Sequence, residues 1–502
     1  MEVVYLIVGN LCLRMGVLER IINYKPEADF VSWDSGVTYL PGFGSFKGFA
    51  YRGQTRDGQM YVHLAEVDAR ISLSRLLFKT VHIKGVNATG LDFRYRERVD
   101  YPCWTEESGE PFPGIPANFQ YYPEIPGLEN PPDPKPEEIY PRKDEERSWT
   151  VKISGAHIEG AIRVAHNEIR IDGDGSVEGG VTIVLRESNA IDRGDIRLRP
   201  ATVLWGSTVL TDDLALGVDV RVDPFPAECA EGSEIIGGAS GTLTFAGQNS
   251  EGFAVDAVAF APLLPGQGML SIESGTVELG GLLELSKERI ASGRLDLVSD
   301  DIVLKKREVP LYGDLQIHAE LAEGDLETNS FDVAGTTIRL DDITRMGSSE
   351  KKQEKLEPWF GNLEFEEGTV TFSEPMSLDS RVRLTMHDTR PVLVLLRNFT
   401  NSLRWLNLTR NVKGIDGTMD LDFGKGFVAV DDLRLTGEDV EILGWVHTRN
   451  QKKNGRIFAR HGARSAGFAF DEDKGKVNLI KPRKWFEKQP SPPPNGDRSD
   501  PR

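Results

Sequence analysis

Apolar and polar residues alternate through most of the stretch from Leu270 to Asp342, and no other feature restricts the fold of this chain as much. Leu295 and Leu297 alternate with Arg294 and Asp296. Ile302 and Leu304 follow the Ser299-Asp300-Asp301 step, Leu315, Ile317 and Leu321 follow Gly313, and Ile338 and Leu340 follow Gly335. A period of two places the Leu, Ile and Val set on one face of a strand and the Asp, Glu and Arg set on the other. Nothing in the stretch recurs at helical spacing. The pattern predicts a long antiparallel meander with one apolar and one polar face.

The same figure recurs on either side. Residues 25–98 read as a first β unit, in which Val62, Leu64 and Val67 share a strand and Val81, Ile83, Val86, Leu91 and Phe93 follow. Residues 99–148 are dense in Pro and acid. Proline removes ladder donors and fixes φ, so this stretch is expected to be an extended surface loop. Its functional alternative is a partner-docking segment with Phe119, Tyr121 and Tyr122 exposed. Residues 149–480 read as repetitive β structure. Within them, Val392, Leu395, Leu396, Phe399, Leu403 and Leu406 recur at three- and four-residue steps. An amphipathic helix is expected near residues 390–410, packed on the sheet end, covering a groove or lying on a membrane surface. Residues 481–502 read as a disordered tail.

Residues 1–24 differ in kind. Val3 to Leu13 is apolar apart from Tyr5, Gly9 and Asn10; Arg14 interrupts the run, and Val17, Leu18, Ile21 and Ile22 continue it. A spanning helix needs ~20 apolar residues, and this run supplies about half of that. Two readings stand: a membrane-proximal or transmembrane helix whose beginning is missing, and a buried helix capping the β core. No basic leader segment or small-residue cleavage site is present.

Sites of chemistry are hard to find. The formal net charge of −19 lacks the basic footprint that nucleic acid requires. Cys12, Cys103 and Cys229 form neither a disulfide framework nor a zinc spacing. The eight histidines are scattered, with no metal pair at helical or strand spacing. Asp172, Asp174 and Glu178 resemble the opening of a calcium loop, but the spacing then fails. Ser240 lacks the glycines of a nucleophile elbow. The expectation is a protein with no catalytic residues, metal or cofactor.

Attention therefore turns to the apolar face. A long antiparallel sheet buries such a face on a second sheet, by rolling closed, or by curling into a trough. In a trough the face is lined but not filled. An acyl chain gains about 0.8 kcal/mol per CH₂ buried there. The candidate lining residues are Leu295, Leu297, Ile302, Leu304, Leu315, Ile317, Ile338 and Leu340.

The order of several loose motifs adds a resemblance. Asn10, Arg14, Gly16 and Leu18 form N-x-x-x-R-x-G-x-L; Trp33 and Pro41-Gly42 follow. A-R-I-S-L-x-x-L-L spans Ala69–Leu77, V-H-I-K-G-V-x-A-x-G-L-x-F spans Val81–Phe93, and P-V-L-x-L-L begins at Pro391. This order resembles the AsmA-like family of Gram-negative envelopes, the group that includes TamB and YhdP. The resemblance implies a mostly β fold: a long antiparallel curled sheet, or β-groove, behind an N-terminal membrane helix. It implies a single-pass inner-membrane protein with its bulk in the periplasm. The implied ligands are phospholipid acyl chains, moved toward the outer membrane or used in its assembly. An outer-membrane or envelope protein is the implied partner. The chain departs from the family in its short apolar run and in being smaller than the largest members. The alternative function is a non-catalytic scaffold of the envelope.

Overall fold

The computed structural model describes residues 2–23, 26, 29–54, 58–97, 119–129, 149–184, 187–226, 238–248, 252–258, 271–287, 290–306, 309–325, 328–345, 359–372, 376–388, 412–424, 426–449, 452–471 and 474–488. Their strands belong to one mixed sheet of 25 strands, as the period-two pattern requires. Two compact units divide the chain, one of residues 1–254 and 282–290, the other of residues 255–281 and 291–502. The amphipathic helix expected near residues 390–410 lies outside the described residues.

In the first unit, α1 (Glu2–Arg14) and α2 (Val17–Ile22) precede the strands. Gly16 separates them at φ 65°, a left-handed conformation that glycine adopts without a Cβ penalty. At 1.5 Å per residue α1 is about 20 Å long, short of a ~30 Å hydrocarbon core. Among the described residues no helix is long and apolar enough to cross a membrane. Asn10 instead ties α1 to the following strands, donating from Nδ2 to Thr38 O and accepting from Thr38 N at 2.8 and 2.9 Å.

Ten strands follow in this unit: β1 (Asp29–Ser32), β2 (Ser35–Val37), β3 (Phe43–Gln54), β4 (Gly58–Ile71), β5 (Thr80–Glu97), β6 (Thr150–His166), β7 (Ile169–Val184), β8 (Ser188–Trp205), β9 (Thr208–Pro226) and β10 (Ala239–Gly247). A helical turn, α3 (Leu73–Leu76), joins β4 to β5. Consecutive strands from β3 pair antiparallel, with one correction to the expected all-antiparallel meander: β5 and β6 run parallel. Parallel neighbours need a crossover of a dozen or more residues, and residues 98–149 supply it.

Part of that crossover is anchored. Arg96 is completely buried; its Nε donates to Gln59 Oε1 at 2.8 Å and its Nη2 to Glu129 O at 2.6 Å. Its guanidinium stacks 5.6 Å from the centre of the Phe119 ring. Arg94 donates to Glu124 O and Arg52 to Gly127 O, both at 3.0 Å. Phe119, exposed in the partner-docking alternative, is buried, whereas Tyr121 remains 43 % exposed. Three arginines at the ends of β3 and β5 thus hold the carbonyls that the prolines leave without ladder partners.

Register shifts in this unit fall into lines. At one level Gly90 of β5 opposes Gly160 and Ala161 of β6; Asp174 of β7 opposes both Arg199 and Pro200 of β8. Gly90 and Gly160 have φ of 66° and 92°, which a bulged strand requires and β-branched residues resist. A second line crosses at Ala69 of β4, Gly155 of β6 and Asp192 of β8. Each bulge bends its strand and raises its twist.

β11 (Phe253–Asp256), β12 (Ser271–Ser274), β13 (Thr276–Leu285) and β14 (Ile290–Lys306) come next. The remaining strands belong to the second unit: β15 (Val309–Asp325), β16 (Ser330–Asp332), β17 (Thr337–Arg345), β18 (Gly361–Thr371), β19 (Ser377–Asp388), β20 (Lys413–Gly424), β21 (Phe427–Gly437), β22 (Val440–Arg449), β23 (Lys452–His461), β24 (Arg464–Asp471) and β25 (Lys474–Asn478). One of its core clusters joins Ile343, Trp359, Met386, Val412, Ile415, Leu435 and Val440. Trp359 meets its polar need inside that core by donating from Nε1 to Asp388 O at 2.9 Å. Residues 482–487, read from sequence as tail, form a helix, α4 (Pro482–Glu487). Phe486 packs 6.2 Å from Phe458, and Arg483 pairs with Glu441 at 3.1 Å.

Arg96→Ala leaves the Gln59 amide oxygen and the Glu129 carbonyl without this donor. Unsatisfied buried groups cost about 1–3 kcal/mol each, so the variant is expected to be destabilised by ~2 kcal/mol or more. Thermal unfolding together with hydrogen exchange at residues 119–129 checks this; unchanged exchange there rules out the anchoring role.

Candidate functional site

Cross-strand register carries the alternation of each strand into rows that cross the sheet. In the first unit one row runs Phe46–Val67–Ala88–Ile158–Val177–Ile196–Val218–Leu243, through β3 to β10. In the second unit a row runs Ile317–Ile338–Leu363–Leu384–Gly417–Leu435–Ile442–Ala459–Ala466, through β15 and β17 to β24. No charged residue interrupts either row. At ~4.8 Å per strand each is on the order of 35 Å long. Directly paired residues share a face, so each row is a continuous apolar track.

The eight candidate residues fall on this surface in different ways. Ile317 and Ile338 are adjacent members of the long row, and Leu315 and Leu340 form the next row with Gly361, Met386 and Ile415. All four candidates are half-buried. Leu297 and Leu315 pack against a cluster of Ala257, Ile272, Val277 and Ile302. Ile302 itself is 1 % exposed, a core residue and not a lining one. Leu295 is half-buried, and Leu304 pairs through its backbone with Ile272, its side chain lying outside the described residues. Leu297 and Ile302 are an odd number of positions apart yet meet in one cluster. The strict alternation therefore breaks between them, at the Ser299-Asp300-Asp301 step.

The opposite face is a carpet of ion pairs. In the first unit Arg163 reaches Asp172 at 2.8 Å and Asp92 at 3.8 Å, joining β5, β6 and β7. Burial opposes ionisation of Asp172, but hydrogen bonds from Arg163 and Arg170 outweigh it and hold its pKa below the usual carboxylate range. In the second unit Arg381 bridges Asp420 at 3.2 Å and Asp432 at 3.8 Å, and Arg383 meets Glu366 at 3.0 Å. Such exposed pairs contribute about 0–1 kcal/mol each; their larger effect is to mark this face as the wet one.

One feature of the wet face is not visible along the sequence. A cleft of about 810 Å³ opens beside β16 and β18 to β21, lined by Asp325, Glu367, Asp379, Asp420, Asp422 and Asp431 with Arg381. Register shifts at Glu366 and at Asp431-Asp432 gather these side chains, and only the pairing of distant strands reveals it. Burial pushes the Asp420 carboxyl above its ordinary range; Arg381 pulls it back, and Asp432 and Asp431 push it further. Asp431 is engaged by His447 Nε2 at 2.8 Å. Among the described residues no group of three or more His, Cys, Asp or Glu is arranged to hold a metal ion.

No family model matches the chain, and no curated protein or solved structure does either.

His318 tests the wet face. Its Nδ1 lies 2.5 Å from Asp296 Oδ1 and its Nε2 2.9 Å from Glu320 Oε1. The Asp296 hydrogen bond, aided by Glu320, raises its pKa above the ordinary value. A raised folded pKa stabilises the fold fully below about pH 6.5, and that contribution is lost as pH rises through the folded value. NMR titration is expected to place His318 above a free histidine, and Asp296→Asn to bring it down. A His318 pKa unmoved by Asp296→Asn contradicts the assignment.

Proposed function

We propose that this is an AsmA-like envelope protein whose apolar sheet face curls into a groove that carries phospholipid acyl chains. The observation that supports the reading most is the pair of uncharged, largely half-buried rows, each crossing eight or nine paired strands. A filled core would bury such rows completely; a solvent face would interrupt them with charge. Aligned bulges supply the bending, because strands kinked at one level curve together.

The groove acts by contacts that lack direction. Each CH₂ removed from water gains about 0.8 kcal/mol wherever it lies along the row, so a bound chain slides without crossing a specific barrier. Leu315, Ile317, Ile338 and Leu340 are the lining residues of this reading, with Leu295 and Leu297 beside them. The protein binds at the inner membrane on its N-terminal side and holds its sheet in the periplasm. It moves phospholipid toward the outer membrane or supports outer-membrane assembly there, with an envelope protein as partner. No cofactor, metal or nucleic acid enters this function.

A second reading, an envelope scaffold without cargo, draws support from Ile302 and from Met386 and Ile415, which are fully packed. The two readings differ in what half-burial means. In the first, residues such as Ile317 wait for an acyl chain; in the second, they are the edge of an ordinary core.

Purification of the full chain followed by lipid mass spectrometry separates them. Bound phospholipid at about one or more per chain is expected, and Ile317→Asp with Ile338→Asp is expected to remove it while circular dichroism remains β. A lipid-free wild-type protein, or loss of the β signal in the double variant, favours the scaffold.

A further inference from the structure

The end of the first unit where β4 turns into β5 exposes apolar side chains that no part of the sheet explains. Leu77 is 85 % exposed and Phe78 63 %, next to each other at the tip of the turn. The tip is ordered by its own backbone: Arg75 N donates to Ser72 O at 3.1 Å, Phe78 N to Arg75 O at 2.9 Å, and Lys79 N to Leu76 O at 3.1 Å. It projects these side chains as a fixed helical turn. Two neighbours are bound to it. Ile71 N donates to Gly42 O at 2.6 Å, which brings in the Tyr39–Phe43 turn, where Tyr39 and Leu40 are also exposed. Thr150 N donates to Lys79 O at 2.9 Å, which places exposed Trp149 at the same end.

Charge around this tip runs against the rest of the chain. The molecule carries a net charge of −19, yet Ala69 to Leu91 contains Arg70, Arg75, Lys79 and Lys84 and no Asp or Glu. Burial lowers the pKa of His82, which lies within this segment, and the field of Lys84, Arg75 and Lys152 lowers it further. Register brings these cations together in space as well, with Arg70 opposite Lys84 and His82 opposite Lys152, which also meets Asp192 at 3.0 Å. Lysine is depleted in protein–protein interfaces. An apolar tip ringed by lysine and arginine, with tyrosine and tryptophan beside it, matches a bilayer interface: aliphatic groups enter the acyl boundary, amphipathic rings sit at headgroup level, and cations meet anionic lipid.

We propose that the Leu73–Lys79 turn, with Tyr39 and Trp149 beside it, is a docking surface for a bilayer containing anionic phospholipid. It is separate from the apolar rows, and it seats one end of the first unit on the membrane.

Sedimentation of the full chain with vesicles tests this, using phosphatidylcholine alone and phosphatidylcholine mixed with phosphatidylglycerol. The wild type is expected to bind the mixed vesicles, more weakly at high salt, and to bind phosphatidylcholine poorly. Leu77→Ser with Phe78→Ser is expected to lower partitioning about tenfold or more. Arg75→Glu with Lys84→Glu is expected to reduce binding on mixed vesicles to the phosphatidylcholine level. All four side chains are exposed, and circular dichroism verifies that the variants fold. Three results overturn the proposal: no binding by the wild type, undiminished binding by the Leu77/Phe78 variant (which would assign the contact to another part such as α1), and self-association without vesicles that this variant abolishes. Binding of a fluorescent fatty acid in solution is read in parallel. The Leu77/Phe78 variant should retain it, so failure of docking and failure of the acyl-binding groove are seen separately.

Discussion

Cross-strand register is the constraint on which the rest of this structure depends. Side chains in a strand alternate with a period of two, so slipping one strand by one residue sends its apolar set to the wet face. Rows such as Ile158–Val177–Ile196–Val218 exist only because four consecutive strands keep their phase. Ion pairs on the other face depend on the same phase: Arg163 meets Asp172 because those residues are directly paired. Bulges would be expected to destroy this order. Here the bulge of β6 at Gly160 and that of β8 at Arg199-Pro200 fall at one level, and beyond Gly160 apolar pairing resumes with Leu91 opposite Ile162.

The parallel pair of β5 and β6 breaks the meander's logic in the first unit, and it explains why a proline-rich segment sits inside a β protein. A hairpin cannot join parallel strands, so the chain must return to its starting end. Proline is poorly suited to the ladder and well suited to such a return, because its backbone does not ask for a donor's partner. Its carbonyls still need donors. The carbonyls of Gly127, Glu124 and Glu129 receive them from Arg52, Arg94 and Arg96, which project from the strand ends. The buried guanidinium of Arg96 is thus a structural consequence of a topological choice.

Much of the fold was legible because period-two alternation is a local property. Leu315 with Ile317 and Ile338 with Leu340 announce strands without reference to any other part of the chain, and those strands are present. Pairing is not local, and there the sequence was silent. Nothing near Val81 or Val151 says that they run parallel. Phe119 looked exposed among prolines because the arginine that covers it lies 23 positions earlier. Among the candidate residues, Ile302 and Ile317 are the same residue type on adjacent strands. One is sealed in a cluster with Val277 and the other is half-buried, a difference decided by which strand each meets. The acidic cleft was hidden for the same reason, since Asp325, Asp379 and Asp431 converge only through the pairing of β15, β16, β18, β19, β20 and β21.

Half-burial is the property that gives such a sheet a use beyond its own stability. A residue such as Ile302 is 1 % exposed, whereas Ile338 is half-buried. At about 25 cal/mol per Å² that remaining area is a small cost at one position, too small to unfold a strand held by two neighbours. Repeated along eight or nine strands, it becomes an apolar track whose total cost is shared by many hydrogen-bonded pairs. A conventional site concentrates strain or charge in a few residues; a track of this kind spreads its cost so thinly that no residue in it looks exceptional. Ion pairs of the described strands, such as Arg163 with Asp172 and Arg381 with Asp420, lie on the other face and leave the rows uncharged.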